Sequence, residues 1–477
     1  MSEASFMVRL CLATLIGLVL VTTSAIAGPT PTPSPTPSAI PTSTPSATPN
    51  PGFSSNLELI GVHDLGGAGW NADVWAHGHY AYVGSWGGGF CPVSSPGTKV
   101  IDISDPANPV QVNRLSTRPY TGVNDVKVTH IETAFFQGDL LVVSNENCRS
   151  GGARGIELWD VTDPPNASLL GTFGPRVVSP GTFYEWGVGA HNLYLYQKGD
   201  RAFVLIAAAL AELSQILNDP PATGELKIVE VTNPREPVQI ASWGIKQDLG
   251  EAVGQRRPNG TFLGDDCRPV CRGEGFAGVF LHDVWANRQG TVAYLSYWDS
   301  GLILLDISDP SHPFLLGRGN YLSDEGNTHV AVPARGGNLV IVADEDFQAD
   351  PWGFMRVFDT TDATNPVEVG QFHTEHTSGP PPDAGWYTAH NLFVRGATVY
   401  ASWYSDGIRL VDISTPAAPR EIAAFVPPDV ADPQGILPAK ALVWGIYVQG
   451  DLIFASDINA GLYILKRRRT DISPGKP

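Results

Sequence analysis

Six times along this chain a short apolar run ends in an acidic residue and then turns at a Ser/Thr-Asp-Pro-like corner, and this recurrence narrows the architectures open to it. The copies read KVIDISDPANPVQV from Lys99, IELWDVTDPPNASLL from Ile156, LKIVEVTNPREPVQI from Leu226, LILLDISDPSHPFLL from Leu302, MRVFDTTDATNPVEV from Met355 and IRLVDISTPAAPREI from Ile408. Apolar and polar residues alternate with the two-residue period of a half-buried strand, and a turn followed by a second apolar run makes each copy a hairpin. Upstream lies a matching inner half, as in LHDVWANRQGTVAYLSYWDSG from Leu281, AHNLFVRGATVYASWYSDG from Ala389 and THVAVPARGGNLVIVADEDF from Thr328. One such four-stranded unit cannot bury its own faces, so a series at intervals of roughly 50 to 75 residues predicts propeller blades.

A seventh inner half, WGIYVQGDLIFASDINAGLYILK from Trp444, lacks a fourth strand. Near the other end, NLELIGVHDL from Asn56 has the fourth-strand pattern of NPVQVNRL from Asn108, with no inner half before it. The fold class expected is therefore all-β, a seven-bladed β-propeller closed by an N-terminal strand in the last blade. Six or eight blades are the competing counts. Closure of this kind removes the exposed edges of an open sheet.

Arg9, the apolar stretch Leu10 to Val21 and Ser24-Ala25-Ile26-Ala27 follow the charged, apolar, small-residue order of a secretory signal peptide, placed at residues 1–27. The alternative, an uncleaved anchor, needs about 20 apolar residues. Residues 28–55 are Pro/Thr/Ser-rich and read as an extended linker. The propeller is placed at 56–466 and a basic flexible tail at 467–477. The expected location is secreted or at the cell surface, as a monomer with no transmembrane domain after signal cleavage. Lys and Arg number 30 against 48 Asp and Glu, a formal charge of −18, which argues against nucleic acid and anionic membranes as partners. The cysteines after the signal segment are Cys91, Cys148, Cys267 and Cys271. In an exported chain they read as disulfides, Cys267 with Cys271 and Cys91 with Cys148, with a zinc site as the alternative.

The strings VIDIS, IVEVT, LLDIS and LVDIS, each followed by an Asp/Asn/Thr-Pro, resemble the LVIVD repeat of bacterial and archaeal cell-surface proteins. The resemblance implies a propeller and a surface location, and carries no specific activity. The third blade departs from it through an insert at Ala208 to Gly224, and so does the loop from Gly244 to Gly278.

One histidine recurs at a single repeat position: His191 in AHNLYL, His282 in LHDVWA, His329 in THVAVP and His390 in AHNLFV. Ala72, Asn124 and Trp444 occupy it in the first, second and seventh blades. If each opens an innermost strand, all four point toward one mouth of the channel, and clustered neutral imidazoles suit one transition metal ion such as Fe, Cu, Zn or Ni. Carotenoid oxygenases, also seven-bladed, hold iron with four histidines, and the chain is similar to them in that arrangement alone. The structural alternative is that each histidine bonds the neighbouring blade's backbone while Asp283, Asn192 or Asn391 beside it satisfies the turn, as Asp73 and Asp125 do in blades without the histidine.

Loops before the inner strands supply a candidate ligand-binding set, namely Tyr184, Glu185 and Trp186, then Asp324, Glu325 and Asn327, then His373, His376, Trp386 and Tyr387. Aromatic faces beside carboxylates suit a protein, glycan or small-molecule ligand, or these rings pack between blades. Asp344, Glu345, Asp346 and Asp350 read as a solvated acidic loop, with calcium as the alternative. Asp102, Asp160, Asp306, Asp359 and Asp412, with Glu230 in the divergent copy, are expected to cap the corner turns. Asn166 and Asn259 fit the N-glycosylation pattern. No GxSxG elbow, HExxH helix signature or phosphate-cradling loop is present. The reading is an exported binding or interaction propeller of unknown ligand, and the alternative is a metal-dependent oxidoreductase using the four histidines.

Overall fold

The computed structural model describes residues 53–67, 69–86, 97–147, 152–174, 189–208, 224–250, 280–322, 327–347 and 351–468. Seven antiparallel sheets form a ring, as the repeats predict. Blade 4 shows the plan: strand A (Asp283–Ala286) lines the channel, followed outward by B (Val292–Tyr297), C (Gly301–Asp306) and D (Phe314–Arg318). Each A strand lies against that of the next blade, and that of blade 7 against that of blade 1. Blade 7 takes its D strand, Leu57–His63, from the N-terminal side of the ring, with Leu57 paired to Arg467 and His63 to Leu462.

One strand lies outside the expected plan. Phe53–Ser55, at the end of the segment assigned to the linker, pairs with Arg420–Val426 as a fifth strand of blade 6. The chain then turns at Asn56, whose φ of +56° lies in the left-handed region that asparagine tolerates, and enters blade 7.

The apolar faces pack blade on blade. Seven clusters of buried side chains each bridge one neighbouring pair, including Val74 and Val83 of blade 1 against Phe454 and Leu462 of blade 7. An additional, mainly aromatic cluster joins blades 1, 5, 6 and 7 on the mouth side. The D strands approach the next blade's corner closely. A Cβ on Gly61, Gly171, Gly317 or Gly370 would stand 2.1 to 2.4 Å from the carbonyl oxygen of Pro106, Pro234, Ala363 or Pro416. In blade 1 this place is taken by Asn113, whose Nδ2 donates to the carbonyl of Pro164 at 3.0 Å.

The corner carboxylates act as the repeats suggest. Asp102, Asp160, Asp306, Asp359 and Asp412 each accept the backbone N–H two residues on, at 2.7 to 3.0 Å. Glu230, one methylene longer, instead accepts from Arg201 and from the Thr232 hydroxyl. All four cysteines of the expected disulfides, the insert at 209–223 and the loop at 251–279 lie outside the described residues. So do the signal segment and the basic tail beyond residue 468, and Asn259. No described helix is long and apolar enough to cross a membrane.

Candidate metal centre

Each A strand starts at the mouth, and the histidine just before its first channel-facing residue turns its ring across the opening. The four rings form a continuous arc. Centroid separations are 4.3 Å from His191 to His282, 4.0 Å from His282 to His329 and 4.2 Å from His329 to His390. Three of the four are almost wholly buried, and His191 is largely so.

Their orientation is fixed from behind. His282 Nδ1 donates to the carbonyl of His329 at 3.1 Å, and His390 Nδ1 to that of Trp444 at 2.7 Å. A carbonyl only accepts, so in the neutral imidazoles Nε2 carries the lone pair. His191 Nδ1 instead meets Glu146 Oε1 at 2.5 Å. The structural alternative is therefore realised in part, because neighbouring-blade carbonyls do hold these rings. That same hold presents the Nε2 atoms to the channel. His191 Nε2 and His282 Nε2 are 2.9 Å apart, and His390 Nε2 has no hydrogen-bond partner.

Glu345 joins the arc. Its carboxylate lies 3.8 Å from His329 Nε2 and 3.8 Å from His390 Nε2, and it accepts a 2.5 Å hydrogen bond from the Tyr404 hydroxyl. One ligand atom from each of His282, His329 and Glu345 lies within 4.8 Å of the others. The solvated acidic loop expected here is thus corrected. Asp344 and Glu345 are 1% and 3% exposed, and Asp344 pairs with the buried Arg356 at 2.6 Å. Asp346 is partly buried, and Asp350 lies outside the described residues.

Burial dominates the charge states. It pushes His282 and His329 well below the usual imidazole range, with neighbouring histidines adding to the effect, and takes His390 to about 3. Burial also presses down on His191, but the Glu146 carboxylate outweighs it and raises that ring. Glu345 is pushed up to about 7 by burial, against the lowering effect of the Tyr404 hydrogen bond and of His191.

Sequence reasoning missed Glu146 and the aromatic residues that share its position, and placed Glu345 in an acidic loop rather than beside the histidines. The strand registers make Trp86, Glu146, Trp298, Glu345, Tyr404 and Ile458 equivalent, where strand B ends beside the mouth. A serine two residues earlier, at 144, 296, 402 and 456, was the signal that could have aligned them. Trp298 and Tyr404 hold φ of +31° and +34°, costly for aromatic residues, and their rings lie 5.2 and 4.8 Å from His282 and His390.

One residue deeper, Asp73, Asp125, Lys127, Asn192, Asp283 and Asn391 surround about 20 Å³, room for one water. Lys127 pairs with Asp73 and Asp125, and Asp125 accepts the N–H of Leu193 in the next blade at 2.9 Å. This is the structural role expected of the Asp/Asn position.

The loop residues fare differently from the histidines. Trp386 and Tyr387 are 6% and 5% exposed and pack in the aromatic cluster, which corrects their placement on an open binding face. His373 is exposed and stacks on Phe354, and His376 Nδ1 meets Asp406 at 2.7 Å. Glu375, His376 and Asp406 lie close enough to hold a cation, but the Arg409 guanidinium already pairs with both carboxylates. Asn327 donates to the Glu345 carbonyl at 3.1 Å. Tyr184, Glu185, Trp186, Asp324 and Glu325 lie outside the described residues.

Ring, repeat and mouth together define a seven-bladed propeller whose channel opening is lined by histidine. The family model of the LVIVD repeat matches residues 68–117 and 283–321, which hold blades 1 and 4, so two of the seven blades carry recognisable LVIVD repeats. No curated protein matches it. Among solved structures it is similar to the computationally designed Ika8 protein, at 10% identity and a TM-score of 0.41 over 86% of this chain and 98% of that one, a likeness too distant to carry argument.

Proposed function

We propose that the channel mouth binds one transition metal ion through His191, His282, His329 and His390, with Glu345 as the neighbouring carboxylate, and that the protein is a metal-dependent oxidoreductase. The observation that carries this is the 2.9 Å approach of two Nε2 atoms whose opposite ring nitrogens are already engaged. Ligand nitrogens at about 2.0–2.1 Å from one ion stand roughly 2.9 Å apart when their bonds to it meet at right angles, and roughly 3.4 Å apart in a tetrahedral site. The orphaned Nε2 of His390 and the carboxylate among these rings fit the same account. Imidazoles with one carboxylate suit iron, while copper, zinc and nickel accept the nitrogen donors.

An iron or copper ion held by these residues would supply one-electron chemistry, which zinc cannot. The chain's own groups do the rest. Glu146 and the carbonyls of His329 and Trp444 fix the rings, as outer-shell acceptors do in metal sites. The Tyr404 hydroxyl holds Glu345, and the Trp298 ring lies 5.2 Å from His282 at the mouth. Burial keeps His282, His329 and His390 neutral at pH 7, so no proton needs to leave them before they ligate.

The N-terminal charged, apolar and small-residue order supports export to the cell surface, which mass analysis of the mature N-terminus tests directly. The metal reading is tested by purifying the ring without a His-tag and measuring bound metal by plasma mass spectrometry beside a His282→Ala/His390→Ala double variant. Near one equivalent, lost in the variant, is expected. No metal after reconstitution would leave a propeller that acts by binding a partner at its loops.

A further inference from the structure

We infer that Trp444, Trp86 and Trp70 form a one-electron relay between the metal centre and the protein surface, an inference that rests on the metal reading above. Trp444 occupies the histidine position of blade 7, and its ring lies 4.3 Å from that of His390. Trp86 follows at 5.0 Å and Trp70 at 5.7 Å, the last pair stacked at 24°. Backbone bonds fix the chain at both ends: His390 Nδ1 donates to the Trp444 carbonyl, and Trp86 N–H to the Trp70 carbonyl at 2.9 Å. All three indoles are at least 94% buried, so each ring keeps one orientation toward the next.

The far end differs from the rest. Trp70 Nε1 donates to Asp432 Oδ1 at 2.8 Å, and Asp432 lies beside the exposed turn Pro433, Gln434 and Gly435. A carboxylate on the indole N–H stabilises the positive charge of an oxidised ring and can take its proton. The last tryptophan thus sits one residue beneath solvent with its own base. The other aromatic contacts of the histidine arc differ: Trp298, tilted beside His282, leads to Phe280, a ring that is hard to oxidise, and Tyr404, beside His390, leads to the buried Trp386.

The electrons balance with a peroxide as oxidant. Hydrogen peroxide takes two electrons, and two protons from solvent, as its O–O bond breaks and two O–H bonds form to give two waters. One electron comes from the reduced metal and one from Trp444, whose hole passes to Trp86 and then Trp70. The Trp70 indole proton moves to Asp432, leaving a neutral indole radical. A one-electron donor at the surface then restores Trp70, with a proton returning to the indole. A second electron from the same donor would return the ion to its reduced state, which closes the cycle.

The test uses the full ring domain loaded with Fe(II), its metal content measured first, mixed with hydrogen peroxide and freeze-quenched for high-field electron paramagnetic resonance. An indole radical is expected in the wild type, lost in Trp444→Phe, displaced to Trp86 in Trp70→Phe, and replaced by a tyrosyl signal in Trp444→Tyr. Phenylalanine preserves most of the packing but not the oxidation, so a merely structural role would leave no such pattern. An unchanged indole signal in Trp444→Phe at equal metal content would overturn the relay. Metal retained with no indole radical in the wild type, or a tyrosyl radical on Tyr404 instead, would overturn the relay and leave the metal reading standing. No metal in the wild type would remove both.

Discussion

His191 and His282 bring their Nε2 atoms within 2.9 Å across the junction of blades 3 and 4, each ring held from behind by an acceptor on Nδ1. Two lone pairs cannot approach so closely without a cation between them. Glu146 raises the His191 imidazole, which favours a proton between the two nitrogens in the metal-free protein.

A metal ion entering the arc displaces this proton. Saturating Fe(II) at about 100 times its Kd is expected to stabilise the fold by about 2.7 kcal/mol, with about one proton released per ion bound. Calorimetry in buffers of different ionisation enthalpy checks both, and a His282→Ala chain that still gains stability from iron would refute the assignment.

Glu146 accepts from His191 and makes no contact with the ion in this account. Glu146→Gln is expected to weaken metal binding about 10- to 100-fold and also to lower the metal-free melting point, because the carboxylate that favours the proton on His191 is gone. Competition with a chelator of known affinity measures it.

Blade contact is tightest at the D-strand glycines. A Cβ on Gly317 would stand 2.4 Å from the Ala363 carbonyl oxygen. Gly317→Val is expected to cost about 1–3 kcal/mol or more in stability, read from urea denaturation. Wild-type stability in that variant would mean blades 4 and 5 slide apart at little cost.

Lys99 is 0% exposed, and its ammonium donates only to Asn71 Oδ1 at 2.7 Å. Burial, with Arg114 nearby, lowers it to about 7 from 10.5. The unfolded chain therefore holds one more proton between these values, so stability contributed by Lys99 rises as pH climbs from about 7 to 10.5. Lys99→Met should be more stable than wild type at pH 7 and lack that alkaline rise. Denaturation midpoints at pH 7 and 9.5 decide it.

Ring closure depends on Leu57–His63 more than on Phe53–Ser55. A chain starting at Asn56 should stay folded and elute as the full ring does, while one starting at Asp64 should aggregate through the open edge of blade 7. Size-exclusion chromatography of both separates these outcomes.

Much of the fold was legible because a repeat announces itself. The acid at the corner and the proline after it serve local turns, so Asp306 or Asp412 could be assigned from neighbours two residues away. The short strand Phe53–Ser55 was not legible, because its pairing with Arg420–Val426 joins residues far apart in sequence and its composition matches the linker. Trp386 and Tyr387 looked like a binding face, yet the aromatic cluster of four blades covers them.

The sequence by itself determined the seven repeats, the swapped closing strand and the common position of His191, His282, His329 and His390, since each follows from a pattern read within one blade. Only the tertiary structure decided that these rings stand side by side in an arc, that Glu146 and Glu345 enter among them, and that Trp444, Trp86 and Trp70 line up behind. Those relations cross blade boundaries, where distance is set by ring curvature and side-chain packing and leaves no periodic trace along the chain.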